Sequence, residues 1–114
     1  MSSPLALGTI VQTSVLHTAR FEGGSAPVGS GTTGFVASRL STSFVGIMNP
    51  VEGWHMNIEP SLVTIIAEMR HTGDWIVIVE GGTEWRIRLS GQNIRTRRQQ
   101  TFSLWYESRK EGRI

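Results

Sequence analysis

The sequence predicts an all-β domain, a small antiparallel β-barrel or sandwich with a long Gly-rich loop or arm. Three observations predict it. Apolar residues fall in short runs rich in Val, Ile, Thr, Phe and Trp, the types that suit a pleated, half-buried surface. Glycine, proline and asparagine interrupt those runs, as turns between strands do. One unit, Asp74 to Leu89, carries the full pattern of an antiparallel hairpin. With 114 residues, 39% of them hydrophobic, the chain makes one domain, 1–114, with a thin core.

Thr9 to Leu16 is rich in β-branched residues and predicts the first strand. Glu22 to Gly34 holds Pro27 and Gly23, Gly24, Gly29, Gly31 and Gly34, which predicts a flexible loop or arm. Phe35-Val36-Ala37 and Phe44 to Met48 are two short apolar runs, followed by turns at Asn49-Pro50 and Glu52-Gly53. Ser61 to Arg70 fits two periods. Leu62, Ile65, Ile66 and Met69 have helical spacing, whereas Val63, Ile65, Ala67 and Met69 alternate as in a strand. The β-branched run Val63 to Ile66 favours strand.

The hairpin comes next. Asp74 to Glu80 is strand-like, Gly81-Gly82 supplies a two-residue turn, and Thr83 to Leu89 returns. Trp85, Ile87 and Leu89 face one side, toward the core, while Arg86 and Arg88 face the other. Gly91-Gln92-Asn93 predicts a turn, Thr101 to Tyr106 a last strand with Phe102, Leu104 and Tyr106 on one face, and 107–114 a basic C-terminal tail. About six or seven short strands of this kind make a small barrel or sandwich.

Composition excludes several functions. The chain has no cysteine, which removes disulfides, thiolate metal sites and thiol catalysis and favours an intracellular origin. No run approaches the length of a membrane span, and Met1 to Gly8 lacks the basic start of a signal peptide. Charge is polarised: residues 1–85 carry three Arg against seven acids, net −4, and residues 86–114 carry eight cations against two acids, net +6. Such a chain suits docking between copies or contact with nucleic acid.

Chemistry-bearing motifs lack their context. Gly29-Ser30-Gly31-Thr32-Thr33-Gly34 is a literal G-x-G-x-x-G. A dinucleotide site needs that motif between a strand and a helix, and here β-type residues follow it. His17, His55 and His71 lack zinc-motif spacing, and no Gly-x-Ser-x-Gly elbow is present. Glu80 and Glu84 flank the Gly-Gly turn as a solvated hairpin tip. The expectation is no enzyme, no cofactor, no metal and no membrane partner.

The remaining signal is a set of arginines and aromatics. Arg forms planar, bidentate bonds to carboxylates and phosphates and suits interfaces. Trp105 points opposite to Phe102 and Tyr106 if the segment is a strand, and Trp54 lies in the polar stretch Glu52 to His55. Exposed Trp and Arg together anchor protein contacts. The predicted interface is therefore Trp54, Arg86, Arg88, Arg95, Arg97, Arg98 and Trp105.

Gly73 to Ile87, with Asp74-Trp75-Ile76, the Gly81-Gly82 turn, Trp85 and Ile87, resembles the hairpin of tailed-bacteriophage head-tail connector proteins of the neck stopper and joining type. The similarity covers about residues 59–107 and includes a final apolar strand, here Thr101 to Tyr106. The resemblance implies a structural virion protein forming a homo-oligomeric ring in the neck. It would join capsid to tail between portal or adaptor and tail proteins, with DNA in the lumen, and have no catalytic residue. Residues 23–34 would be the arm reaching a neighbour or the lumen. Two alternatives share the composition: a capsid cement or decoration protein, and a small nucleic-acid-binding β-barrel grooved by Arg86, Arg88, Arg95, Arg97 and Arg98, whose binding would depend strongly on salt.

Overall fold

A computed structural model describes residues 5–88 and 93–112. Among these, nine strands form one antiparallel sheet: β1 (Thr9–Thr13), β2 (His17–Phe21), β3 (Gly24–Val28), β4 (Thr33–Arg39), β5 (Val45–Asn49), β6 (Trp54–Ile58), β7 (Val63–Thr72), β8 (Trp75–Glu80) and β9 (Thr83–Arg88). Their spatial order is β3-β2-β6-β5-β4-β1-β7-β8-β9. One helix, α1 (Ile94–Lys110), follows. The all-β expectation holds. The sheet is not closed, so barrel or sandwich describes it only loosely.

The sheet buries a core on each face. Ile10, Phe35, Ala67, Met69, Ile76 and Ile78 pack with Phe102 and Trp105 of α1. Val11, Val36, Val45, Ile47, Trp54, Met56 and Ile58 form the second core. Neighbours in sequence go to opposite cores, Ile10 and Val11 in β1, Phe35 and Val36 in β4. That is the period-two alternation of a strand buried on both sides.

Bulges explain the ambiguous segment. Ile10 pairs with Ala67 but Val11 pairs with Ile65, so Ile66 is the extra residue of a bulge in β7. The bulge switches faces: Val63 lies against one core and Ala67 and Met69 against the other. Two adjacent apolar residues at the switch, Ile65 and Ile66, mimic helical spacing in a strand. A second bulge in β4 leaves Ala37 unpaired between Val36↔Ile47 and Ser38↔Gly46.

Four expectations need correction. Thr101 to Tyr106 is not a strand but the middle of α1. The Asn93 side chain caps that helix by accepting from the Thr96 N–H at 2.8 Å. Residues 22–34 are not a loop or arm, because β3 pairs with β2 from His17↔Val28 to Phe21↔Gly24 and Thr33 and Gly34 already belong to β4. The tail is helical to Lys110. Trp85 is only half-buried, packed against the rim of the helix-side core from an edge strand. Leu89 and Gly91-Gln92 lie outside the described residues, as do Met1 to Pro4 and the last two residues of the tail.

Candidate interaction surfaces

The structure divides the predicted interface set. Trp105 is 1% exposed and Trp54 3% exposed, so neither can anchor a partner. Helical geometry is the reason for Trp105: Phe102, Trp105 and Tyr106 stand at i, i+3 and i+4 and share one face. Phe102 lies 5.0 Å from Phe35 and 5.9 Å from Trp105, ring centre to ring centre. Trp54 alternates inward with Met56 and Ile58 along β6. It fits because Gly34 has no side chain: a Cβ there would stand 3.0 Å from the indole and 2.9 Å from the Met48 carbonyl oxygen.

The arginines do not form one groove. Arg86 and Arg88 project from β9 away from the helix, Arg95 is exposed on the first turn of α1, and Arg97 and Arg98 are half-buried along it. The C-terminal end of α1 is tied down instead by residues outside the predicted set. Arg109 pairs with Glu80 and stacks 5.2 Å from the Trp105 ring. Tyr106 Oη donates to Glu52 Oε1 at 3.1 Å, and Lys110 Nζ donates to the same oxygen at 3.3 Å. Buried Asn49 holds the turn that carries Glu52, accepting from the Val51 and Glu52 N–H groups at 2.9 Å. Burial first, and the Glu52 carboxylate second, raise the pKa of Tyr106 above its usual 10.0, partly offset by Asn49 and Lys110.

Among the described residues several large apolar side chains are exposed, Val15 and Leu16 of the β1–β2 turn among them; two groups of them lie on different halves of the sheet. The first is on the face of β7-β8-β9 that turns away from α1. Register places Glu68, Val79 and Glu84 in one row, Arg70, Val77 and Arg86 in the next, and Thr72, Trp75 and Arg88 in the third. The middle strand thus shows an apolar stripe, Trp75-Val77-Val79, with Trp75 44% exposed. Charged rows flank it, stitched along their own strands by Glu68–Arg70 at 2.9 Å and Glu84–Arg86 at 3.3 Å. Arg88 adds a contact to Asp74 at 3.6 Å.

The second patch is the connection between β4 and β5, where Leu40 is 53% and Phe44 43% exposed. The loop is shaped by its own polar groups. Ser41 Oγ accepts from the Ser43 and Phe44 N–H groups at 3.1 and 3.2 Å, and the Ser41 N–H donates to the Phe44 carbonyl at 3.2 Å. A closed turn therefore presents two large apolar side chains beside Arg39.

The sheet edges differ as well. Phe21↔Gly24 and Glu80↔Thr83 close two-residue hairpins, so alternate residues beyond them point outward. In β3 Pro27 takes such an outward place and offers no N–H, which blunts that edge. In β9 the outward places are Glu84, Arg86 and Arg88, all with N–H groups.

The G-x-G-x-x-G stretch runs from the β3–β4 turn into β4, with no helix behind it. His17, His55 and His71 sit on β2, β6 and β7. Among the described residues no cluster of His, Asp and Glu could hold a metal ion, and no helix is long and apolar enough to cross a membrane. The chain matches no family model, no curated protein and no solved structure.

Proposed function

We propose that this chain is a structural subunit that assembles head to tail with further copies of itself into a ring. The place of that ring is the one implied by the hairpin's resemblance to phage connector proteins: the virion neck, joining capsid to tail. With Thr101 to Tyr106 in a helix, the resemblance rests on β8 and β9 alone.

The observation that carries the reading is the pair of separate apolar patches. Trp75, Val77 and Val79 form a shallow stripe, and Leu40 and Phe44 a projecting loop. Two different patches that fit each other make a heterologous contact, which closes into a ring when its rotation allows. Charge supports the fit: Arg39 flanks the loop, while Glu68 and Glu84 flank one end of the stripe. Arg70, Arg86 and Arg88 flank the rest of the stripe, so an arginine beside the docking loop is favoured at the Glu68–Glu84 end alone, which sets register between partners. The partners in this reading are other copies laterally, portal or adaptor and tail proteins axially, and DNA in the lumen.

The test is the molar mass of the purified protein by light scattering, for the parent and for Val77→Glu. The expected result is a ring-sized parent and a monomeric variant with an unchanged melting temperature. A parent that stays monomeric at high concentration overturns the reading, and so does a variant that assembles normally.

A further inference from the structure

The sheet face toward α1 is only partly covered by it. A single register row crosses that face from Ser25 through Arg20, His55, Met48 and Phe35 to Ile10. Its chemistry changes along the way. Ile10 and Phe35 lie under the helix, whereas Arg20 and His55 are open to solvent. Between them the first turns of α1 form a wall over β4, β5 and β6, and a groove runs along its foot.

Two adjoining cavities make up the groove. One, of about 260 Å³, is bounded by Ser38, Met48, Asn57, Arg95 and Gln99. The other, of about 600 Å³, is bounded by Thr18, Arg20 and Ser25. They share His55, Met56 and Asn57. The floor is shaped at Gly46, where a Cβ would come within 2.3 Å of Ser38 Oγ and 3.6 Å of Asn57 Oδ1. Glycine there leaves the hydroxyl and the amide converging over an open floor.

The charge of the groove has one sign. Neither cavity is lined by a single Asp or Glu. Arg20 and Arg95 have no ion-pair partner among the described residues, whereas Arg70, Arg86, Arg88, Arg109 and Lys110 each have one. From β2 to β4 is three strand spacings, about 14 Å. The groove is longer than a lone phosphate, so a ligand that fills it is extended, and its cationic lining suits one with several anionic groups.

We propose that this groove binds a single strand of nucleic acid, with phosphates at Arg20 and Arg95 and bases over Met48 and His55. Arginine suits phosphate because its planar fork matches two oxygens at once. The amides of Asn57 and Gln99 each offer a donor and an acceptor, as needed at base edges. The site is separate from both apolar patches and stands independently of the ring.

The experiment is an anisotropy titration of a labelled oligothymidylate against the full chain over a series of salt concentrations. Parent affinity should fall with salt at a slope of about −0.7 per phosphate contacted. Arg20→Ala and Arg95→Ala should each weaken binding several-fold and flatten the slope by about 0.7. Both side chains are exposed, so melting temperatures should not move. Arg88→Ala removes the same charge from the other face and should leave binding near the parent value. Any of three results overturns the proposal: no binding at low salt, equal weakening by Arg88→Ala, or displacement of the oligonucleotide by poly-glutamate as readily as by unlabelled strand. The last would assign the groove to acidic peptides.

Discussion

The two halves of the sheet solve the same problem in opposite ways. Strands β2, β6 and β5 turn most of their apolar residues to the face away from α1 and bury them largely against one another, with Trp54 among them. Strands β7, β8 and β9 turn theirs to the other face and bury them under a helix, with Phe102 and Trp105. β1 and β4 contribute to both cores, Ile10 and Phe35 to the one under α1 and Val11 and Val36 to the other. Each half therefore leaves one face bare, and the bare faces lie on opposite sides. One is a cationic groove lined by both polar and apolar residues, the other an apolar stripe between charged rows. An open sheet that changes its covered side along its width has two distinct surfaces to offer, which a closed barrel of this length would not.

The largest test of the division is Trp105→Ala. A Phe or Trp truncated in a core costs about 3–5 kcal/mol, a large share of the stability of a small domain. Hydrogen exchange should quicken most in β8, β9 and α1 and least in β5 and β6. Equal acceleration everywhere would show one cooperative unit and dissolve the comparison. The matching change in the other half is Gly34→Ala, which drives a methyl into Trp54 and the Met48 carbonyl. Overpacking of this kind costs about 1–3 kcal/mol, measurable by urea unfolding, and should loosen β5 and β6 first.

A smaller effect of opposite sign is expected at Thr101. Its side chain is fully buried and its hydroxyl has no partner among the described residues. Thr101→Val keeps the shape and removes an unsatisfied donor, so the helix-backed half should gain about 1 kcal/mol. The smallest effect concerns the seam between the halves, where Tyr106 on α1 meets Glu52 on the β5–β6 turn. Its pKa is raised in the folded chain above 10.0. The neutral phenol is favoured by folding, so stability is intact below that pH and falls as pH rises through the folded value. Tyr106→Phe should flatten the alkaline limb of a stability profile; an unchanged limb would show that the phenol is not held in the seam.

Legibility in the sequence did not follow that division, because the helix-backed half holds both the clearest signal and the least clear one. The β8–β9 hairpin was readable because Gly-Gly and the Trp85-Arg86-Ile87-Arg88 alternation are local signals, and the structure has Arg86 and Arg88 facing away from Trp85 and Ile87 as expected. Helix α1 was not, because Phe102, Leu104, Trp105 and Tyr106 satisfy both period two and i, i+3, i+4 within six residues. The wider window held the answer: Asn93 as cap, the Arg- and Gln-rich stretch Arg95 to Gln100 with good helix propensity, and Gly112 beyond the end. β3 was hidden because an exposed edge strand of Gly, Ser, Ala and Pro has no apolar signature. The stripe on β8 was hidden for the opposite reason. Trp75 to Val79 is apolar on both faces, and only its pairing with charged β7 and β9 reveals which residues stay bare.

The central claim is that copies meet through two different patches. Its most direct test is a mixing experiment by light scattering with two variants, Val77→Glu, which spoils the stripe, and Phe44→Glu, which spoils the loop. Each alone should be monomeric. Mixed, the intact loop of the first should dock on the intact stripe of the second, giving a one-to-one dimer that grows no further. Phe44→Glu that still self-associates, or a mixture that stays monomeric, would contradict head-to-tail assembly through these surfaces.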